Sequence, residues 1–197
     1  MEQKIDMIVN RLPAKTWNRL SVNQAEIKDL TADGWQRPAV TVRYPKDEKP
    51  IVRELTTEQE SSVYKKMEQI RTGMGAEVSS LKPEDATDIC VETVEEGGES
   101  DERRERMRRD EVVLVLDYPD RKNCFQDVKI YARAGESVTV WTVVRSKKDA
   151  EGKAVLRTLL QAEENAKIRL VQVDLLGDRM QLFNDIGVES GKQAQIE

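Results

Sequence analysis

Three aspartates near the end of the chain, Asp174, Asp178 and Asp185, are the side chains best suited to chemistry. A pair of carboxyl groups can act as acid and base in glycoside hydrolysis, and clustered carboxylate oxygens can hold calcium. A simpler interpretation places Asp178 in a Gly177-Asp178 turn and Asp185 in another loop. The sequence therefore leaves a carbohydrate-active or metal-binding enzyme as the alternative function.

The chain contains no histidine, which excludes a Ser-His-Asp or Cys-His nucleophile and histidine-ligated zinc within these residues. It has two cysteines, Cys90 and Cys124, and no C-x-x-C pair. We expect two buried thiols rather than a disulfide or metal ligands. No catalytic, cofactor-binding or metal-binding residue is assigned, and the chain is predicted not to be an enzyme.

Composition excludes other classes of function. The net charge of −5 argues against a nucleic-acid partner, which calls for a basic face. The arginines between residues 95 and 111 are balanced by acids, so a charged linker is favoured over a nucleic-acid adaptor. The N-terminus has no apolar signal region, and no apolar run approaches the length of a membrane span. We expect a cytoplasmic protein with no membrane partner.

The segment 1–110 is predicted to form a helical or mixed region. Residues 2–12 place apolar side chains at helical spacing, and residues 40–44 alternate as a strand does. Residues 57–71 are predicted as the clearest helix, with Thr57 and Glu60 forming a capping box and with Val63, Met67 and Ile70 as its core stripe. Residues 95–110 are the charged linker.

From residue 111 onward the pattern is that of strands. Residues 112–116 form a continuous run of β-formers, and three short motifs recur at a fixed spacing, at 138–141, 166–169 and 194–197. A fixed period of this size predicts a chain that lays down similar strands coil by coil. Because the third copy falls on the last residue, we expect the chain to be part of a longer protein.

Two stretches carry a resemblance to a known family. The residues from Ala162 to Gly177 and from Gln181 to Gly187 resemble the SufB/SufD family of iron–sulfur cluster assembly scaffold proteins, and the best match covers about 138–187. Leu12-Pro13 followed by Thr16-Trp17 is similar to the N-terminal arm of the SufD branch. The chain is thus expected to be a SufD-like N-terminal fragment.

The resemblance implies an α+β fold, with the N-terminal helical or mixed region (1–110) followed by the first coils of a right-handed parallel β-helix (111–197). It implies a non-catalytic scaffold whose partners, through the full-length protein, are a SufC-like ATPase and a SufB/SufD-like subunit. The iron–sulfur cluster belongs to the full assembly complex, and no cofactor is expected in this fragment. The late β-helix and the segment that docks the ATPase would lie outside it.

Overall fold

The computed structural model describes residues 4–9, 25–31, 34–45, 50–94 and 110–197. Within these ranges the chain is almost entirely β-sheet, with one six-residue α-helix and one short 3₁₀-helix. The predicted α+β class with a helical N-terminal region is therefore wrong. The strands β3 to β6, which precede residue 94, join the same two sheets as the later strands.

The elements follow one another along the chain as strands with two short helical segments between them. They are β1 (Lys4–Val9), β2 (Ala25–Thr31), β3 (Trp35–Gln36), β4 (Ala39–Arg43), β5 (Ile51–Leu55), α1 (Ser62–Met67), a 3₁₀-helix (Ala76–Leu81), β6 (Asp88–Glu92), β7 (Asp110–Asp117), β8 (Asn123–Ala132), β9 (Ser137–Arg145), β10 (Glu151–Ala162), β11 (Lys167–Leu175), β12 (Arg179–Ser190) and β13 (Gln195–Ile196).

From β6 onward the chain passes alternately between two sheets. Sheet I has the order β12-β10-β8-β6-β5, with β3 beside β8, and sheet II has the order β13-β11-β9-β7-β4. The strands β6, β8, β10 and β12 are parallel to one another, as are β7, β9, β11 and β13. Within these two sheets, as far as the structure describes them, the antiparallel pairings are those of β5 with β6 and of β4 with β7, at the first edge of each sheet. The β1–β2 pair forms a separate antiparallel ribbon.

The strand register corrects the predicted repeat. Val138 pairs with Ile168 rather than with Ala166, so the step from β9 to β11 is longer than the sequence motifs predict. Lys167 pairs with Gln195, so the step from β11 to β13 has the predicted length. The two steps differ by an even number of positions, which keeps every side chain on the same face of its sheet. The right-handed winding that the resemblance implies stays a prediction.

Three four-residue turns lead from sheet I to sheet II, and they stack on one another. The third residue of each turn has a positive φ: 76° at Gly135, 59° at Asn165 and 57° at Gln193. The amide of Gly135 donates to the carbonyl of Glu164, and that of Asn165 donates to the carbonyl of Lys192. Each turn therefore satisfies backbone groups of the next, and a repeated left-handed residue shapes all three.

The main core lies between the two sheets. Ile89, Leu114, Val128, Val140 and Leu156, from five successive strands, are all completely buried in it. Within each strand, the side chains that face the core come from every second position, as expected for a strand that turns one face to the core. Leu156 and Leu160 of β10 both lie in this core.

The outer face of sheet I is buried as well, because residues 56–87, here named the cover, lie across it. Met67 of α1 packs with Cys90 of β6 and Leu159 of β10. Val78 and Leu81 of the 3₁₀-helix pack with Phe125, Val155 and Trp35. The central strands β6, β8 and β10 of sheet I are therefore buried on both faces.

The two predicted N-terminal helices are corrected. Residues 4–9 form β1, because Ile5, Met7 and Val9 also alternate as in a strand and β2 pairs with them. The predicted 57–71 helix is limited to Ser62–Met67, and its N-cap is Ser61 rather than Thr57. The capping box does not form, because the Glu60 carboxylate binds Lys129 instead. The predicted core packing of Met67 is confirmed.

The N-terminal arm motif and residues 95–109 of the predicted charged linker (95–110) lie outside the described residues, and residue 110 begins β7.

Candidate functional site: a buried ionic cluster

Seven charged side chains meet between sheet I and the cover. We name them the ionic cluster: Glu60, Glu68, Lys82, Asp88, Asp127, Lys129 and Arg157. The strand alternation that sends Val128 and Leu156 into the core sends Asp127, Lys129 and Arg157 to the opposite face. The parallel register then sets Arg157 directly beside Asp127 on one side and Asp185 on the other.

Lys129 is the centre of one half of the ionic cluster. Its side chain is 0% exposed, and its Nζ lies 2.7 Å from Glu60, 2.5 Å from Glu68 and 2.9 Å from Asp88. Each of the three carboxylates comes from a different part of the fold, the loop before α1, the end of α1 and the start of β6. The ammonium group thus joins the cover to two strands of sheet I, and its three donors have three acceptors.

Arg157 is the centre of the other half. Its guanidinium group donates two hydrogen bonds to Asp127, at 2.6 and 2.7 Å. It also donates to Glu68 at 2.8 Å and to the Ser79 hydroxyl at 2.9 Å, both in the cover. Lys82, from the cover, lies 2.5 Å from Asp88 and 3.2 Å from Asp127. A fork-shaped cation suits this position because it binds one carboxylate with two bonds and keeps donors for others.

Burial and charge shift the pKa values within the ionic cluster in opposite directions. Burial raises the pKa of Glu60 to about 7, the neighbouring Asp88 carboxylate adds to the rise, and Lys129 opposes it. For Asp88, burial alone would raise the pKa, but Lys129 and Lys82 outweigh it and the pKa is lowered. The pKa of Glu68 is lowered in the same way, because Arg157 and Lys129 outweigh its burial.

The same balance holds for the cations. Burial would lower the pKa of Lys129, but Asp88, Glu60 and Glu68 outweigh it and the pKa is raised. Arg157 and Lys82 likewise have raised pKa values, because nearby carboxylates outweigh burial. Burial raises the pKa of Asp127 although Arg157 acts against it. The three cations are therefore charged at any physiological pH.

A metal ion does not fit the acidic triad of the ionic cluster. Oxygens of Glu60, Glu68 and Asp88 lie within 4.8 Å of one another, an arrangement that could surround a cation. The Lys129 ammonium already contacts all three at 2.5 to 2.9 Å, which is the position that an ion would take. The arrangement can hold the cover on sheet I and can exchange protons, but it presents no open coordination position.

The three aspartates singled out by the sequence are not brought together. Asp185 lies in β12 and not in the loop that the simpler interpretation predicted; it is buried, and its Oδ1 accepts a hydrogen bond from the Met74 amide of the cover. Asp174 is exposed and accepts from the Gln172 side chain of its own strand. Asp178 is exposed in the turn after Gly177, as its simpler interpretation predicted. Among the described residues, these three do not form a group of ligand oxygens within 4.8 Å.

Both cysteines are free and buried, as predicted. Cys90 packs under the cover, and Cys124 lies in the core between the sheets. Burial raises the pKa of Cys90 to about 12 and that of Cys124 to about 11. A thiol with so high a pKa is a poor nucleophile and a poor metal ligand at neutral pH.

The sequence analysis missed the ionic cluster. One signal for it was present, because Arg157 shares a strand face with the apolar Val155 and Leu159, and Lys129 likewise lies in an alternating strand. A cation in the middle of an otherwise apolar strand face needs a buried partner. The sequence does not indicate which residues are the partners, since Glu60 lies 69 residues before Lys129.

No family model, no curated protein and no solved structure matches this chain. Within the described residues, no helix has the length and apolar character that a bilayer span would need.

Proposed function

We propose that this chain is a non-catalytic scaffold component of iron–sulfur cluster assembly, similar to SufB/SufD subunits, and that it acts in the cytoplasm. The observation that carries the proposal is the pairing of β9 with β11 and of β10 with β12. These strands cover the stretch at 138–187 that resembles the family, and they pair in parallel, as the family's central β-helix does.

The contacts that the buried charged side chains make support a scaffold function rather than an enzymatic one. The buried carboxylates of the ionic cluster contact cations and attach the cover to sheet I. They are therefore committed to holding the fold, whereas a catalytic pair must face substrate and keep contrasting pKa values there. The alternative enzyme built on Asp174, Asp178 and Asp185 gains no support from their positions.

As a scaffold, the chain would act through the full-length protein. Its proposed partners are a SufC-like ATPase and a SufB/SufD-like subunit, and the iron–sulfur cluster is the cargo of the whole complex. We assign no ligand of that cluster to the described residues, because both thiols are buried and have raised pKa values.

Affinity capture tests the proposal. The protein from the complete reading frame, tagged and co-expressed with the SufC-like ATPase and the SufB/SufD-like subunit of the same genome, should retain both on the resin. The chain described here should not retain the ATPase by itself. A full-length protein that binds neither partner would contradict the proposal, and a chain that hydrolyses polysaccharide would replace it with the enzyme alternative.

A further inference from the structure

The ionic cluster holds an unequal number of opposite charges. Four carboxyl groups, those of Glu60, Glu68, Asp88 and Asp127, meet three cations, Lys82, Lys129 and Arg157. Fully ionised, the cluster would carry one more negative than positive charge; Glu60, Asp88 and Asp127 are buried, whereas the Glu68 side chain is 31% exposed. An isolated buried charge is costly, and a carboxylate in this situation is neutralised by taking up a proton.

The geometry shows where the extra proton would be held. Glu60 is 5% exposed, and its Oε1 accepts a hydrogen bond from Lys129 at 2.7 Å. Its Oε2 is buried and receives no donor. Asp88, a second carboxyl group, interacts with Glu60 and has oxygens within 4.8 Å of it. Two carboxylate oxygens can form a hydrogen bond with each other only when one of them carries a proton.

We propose that the ionic cluster binds one proton, shared between Glu60 and Asp88, and that its release near neutral pH loosens the cover from sheet I. The cover would then be a proton-sensitive element of the fold. The proposal is independent of the proposed scaffold function, because it rests only on the described contacts.

The groups around Glu60 come from every element packed against it. Sheet I contributes Asp88 and Cys90 from β6, Asp127 and Lys129 from β8, and Arg157 from β10; the cover contributes Glu68 at the end of α1 and Lys82 after the 3₁₀-helix. The cations stay charged and Cys90 stays protonated through the neutral range, since their pKa values are all raised. Asp127 also has a raised pKa, but Arg157 donates two hydrogen bonds to its carboxylate, whereas the Glu60 Oε2 receives no donor. The proposal therefore assigns the change of charge to Glu60.

The sign of the effect follows from the pKa of Glu60, which lies at about 7 in the closed state against an ordinary value of 4.5. The closed state binds the proton more tightly than an opened state, so opening becomes easier as the pH rises from about 4.5 to 7. The chain has no histidine. Few other groups titrate in this window, which makes the effect measurable in the native protein.

The first measurement is the side-chain carboxyl carbon signal of Glu60 in the native chain, followed by NMR from pH 4 to 9. It should titrate with a midpoint near 7, well above the ordinary value of 4.5 for a glutamate. A midpoint below 5 would overturn the proposal. This measurement needs no variant, so it decides the matter even if a variant fails to fold.

The second measurement is amide hydrogen exchange in the cover. Protection of the Lys65 and Ile70 amides, which bond to Ser61 and Met67, should fall by up to about tenfold per pH unit between about pH 5 and 7, after correction for intrinsic exchange rates. In Glu60→Gln, which resembles the protonated form, protection should be flat over this range. Glu58→Gln, at an exposed position, is the matched control and should behave as the native chain.

Amides of β9 and β11 in sheet II serve as an internal reference and should keep a constant protection. An equal fall in the reference amides would show global destabilisation and would overturn the assignment to the cover. Identical pH profiles for the native chain and Glu60→Gln would overturn the role of Glu60.

Discussion

Lys129 is stable in the interior only while its carboxylates are present, and the carboxylates are stable only while it is there. The burial of the Lys129 charge is compensated by contacts of 2.5 to 2.9 Å with three carboxylates. Removing one member of such a set costs much more than the set contributes, because the remaining charges are left buried and unpaired.

The substitution Lys129→Met should therefore destabilise the chain by about 3–5 kcal/mol, since it leaves Glu60, Glu68 and Asp88 without their common cation. Urea unfolding at pH 7, followed by circular dichroism, measures this loss. The exposed Lys65 on α1 provides the control, and Lys65→Met should change stability by less than about 0.5 kcal/mol. A loss under about 1 kcal/mol for Lys129→Met would show that the ionic cluster is not needed for stability.

For single residues, the sequence indicates on which face of a strand a side chain lies, but not which residues it contacts. The alternation of residues along β10 is enough to place Leu156 and Arg157 on opposite faces, because period-2 patterning is local. The partners of Arg157 are Asp127, Glu68 and Ser79, which lie 30, 89 and 78 residues away. Such contacts depend on the coil register and on the path of the cover, and neither is encoded by neighbouring residues.

Among the elements, the stacked turns from sheet I to sheet II place a left-handed residue at the same position three times. Gly135 adopts this conformation without a side-chain clash, and Asn165 tolerates it, whereas Gln193 does so against the preference of an L-residue with a long side chain. The third turn is therefore strained relative to the first two.

The substitution Gln193→Gly should relieve this strain and stabilise the last turn by about 0.5–1 kcal/mol. The turn holds β13 beside β11, where the Gln195 amide donates to Ala166 and that of Glu197 donates to Ile168. Exchange protection of these two amides should rise about two- to fivefold. In the control Asn165→Gly, protection should change much less. Unchanged or lower protection in Gln193→Gly would contradict the strain argument.

The cover approaches β12 closely at a glycine. A Cβ at Gly187 would lie 2.8 Å from Cγ2 of Ile70 and 2.9 Å from Cγ2 of Thr72. Gly187→Ala should therefore push this part of the cover outward and cost about 1–3 kcal/mol of unfolding free energy. Thr72→Ser removes one of the opposing methyl groups, so a double-mutant cycle should show that it recovers part of the loss. Strict additivity would mean that the two positions do not touch.

The two N-terminal helices do not form as predicted, because contacts between elements decide the local structure. Residues 57–71 have helical spacing, but Glu60 gains more from the buried Lys129 than from capping a helix, and the helix begins only after Ser61. For β1, the apolar residues fit both periods, and pairing with β2 decides between them. Tertiary contacts override local propensity in both cases.

For the whole molecule, the balance of charge predicts an acid limit of stability. The pKa values of Asp88 and Glu68 are lowered in the fold from ordinary values of 3.8 and 4.5. The stability that these two carboxylates contribute is fully present above their ordinary pKa values. It is lost as the pH falls through their lower pKa values in the folded state. The thermal midpoint should therefore drop below about pH 4, and the drop should be shallower in Asp88→Asn. An equally steep drop in this variant would contradict the assignment to Asp88.

The large-scale prediction from the sequence was correct in one respect and wrong in another. Repeated β-rich motifs predicted similar strands laid down coil by coil, and the strands of sheet II do pair in this way, at two steps of nearly equal length. The helical N-terminal region was wrong, because β4, β5 and β6 extend the same sheets. Short strands next to charged loops give only a weak alternating pattern in the sequence. The sheet that each of them joins is therefore determined by pairing with strands that are distant in the sequence.

The reversed direction of β4 and β5 gives the stack of coils a polarity. Elongation by the same repeat is blocked on that side, since the bordering strands run against it. Duplication of an internal coil would be accommodated differently: one extra rung of about 4.8 Å would enter the column and leave both borders unchanged. The length of such a stack of strands can thus be altered in discrete steps of one coil.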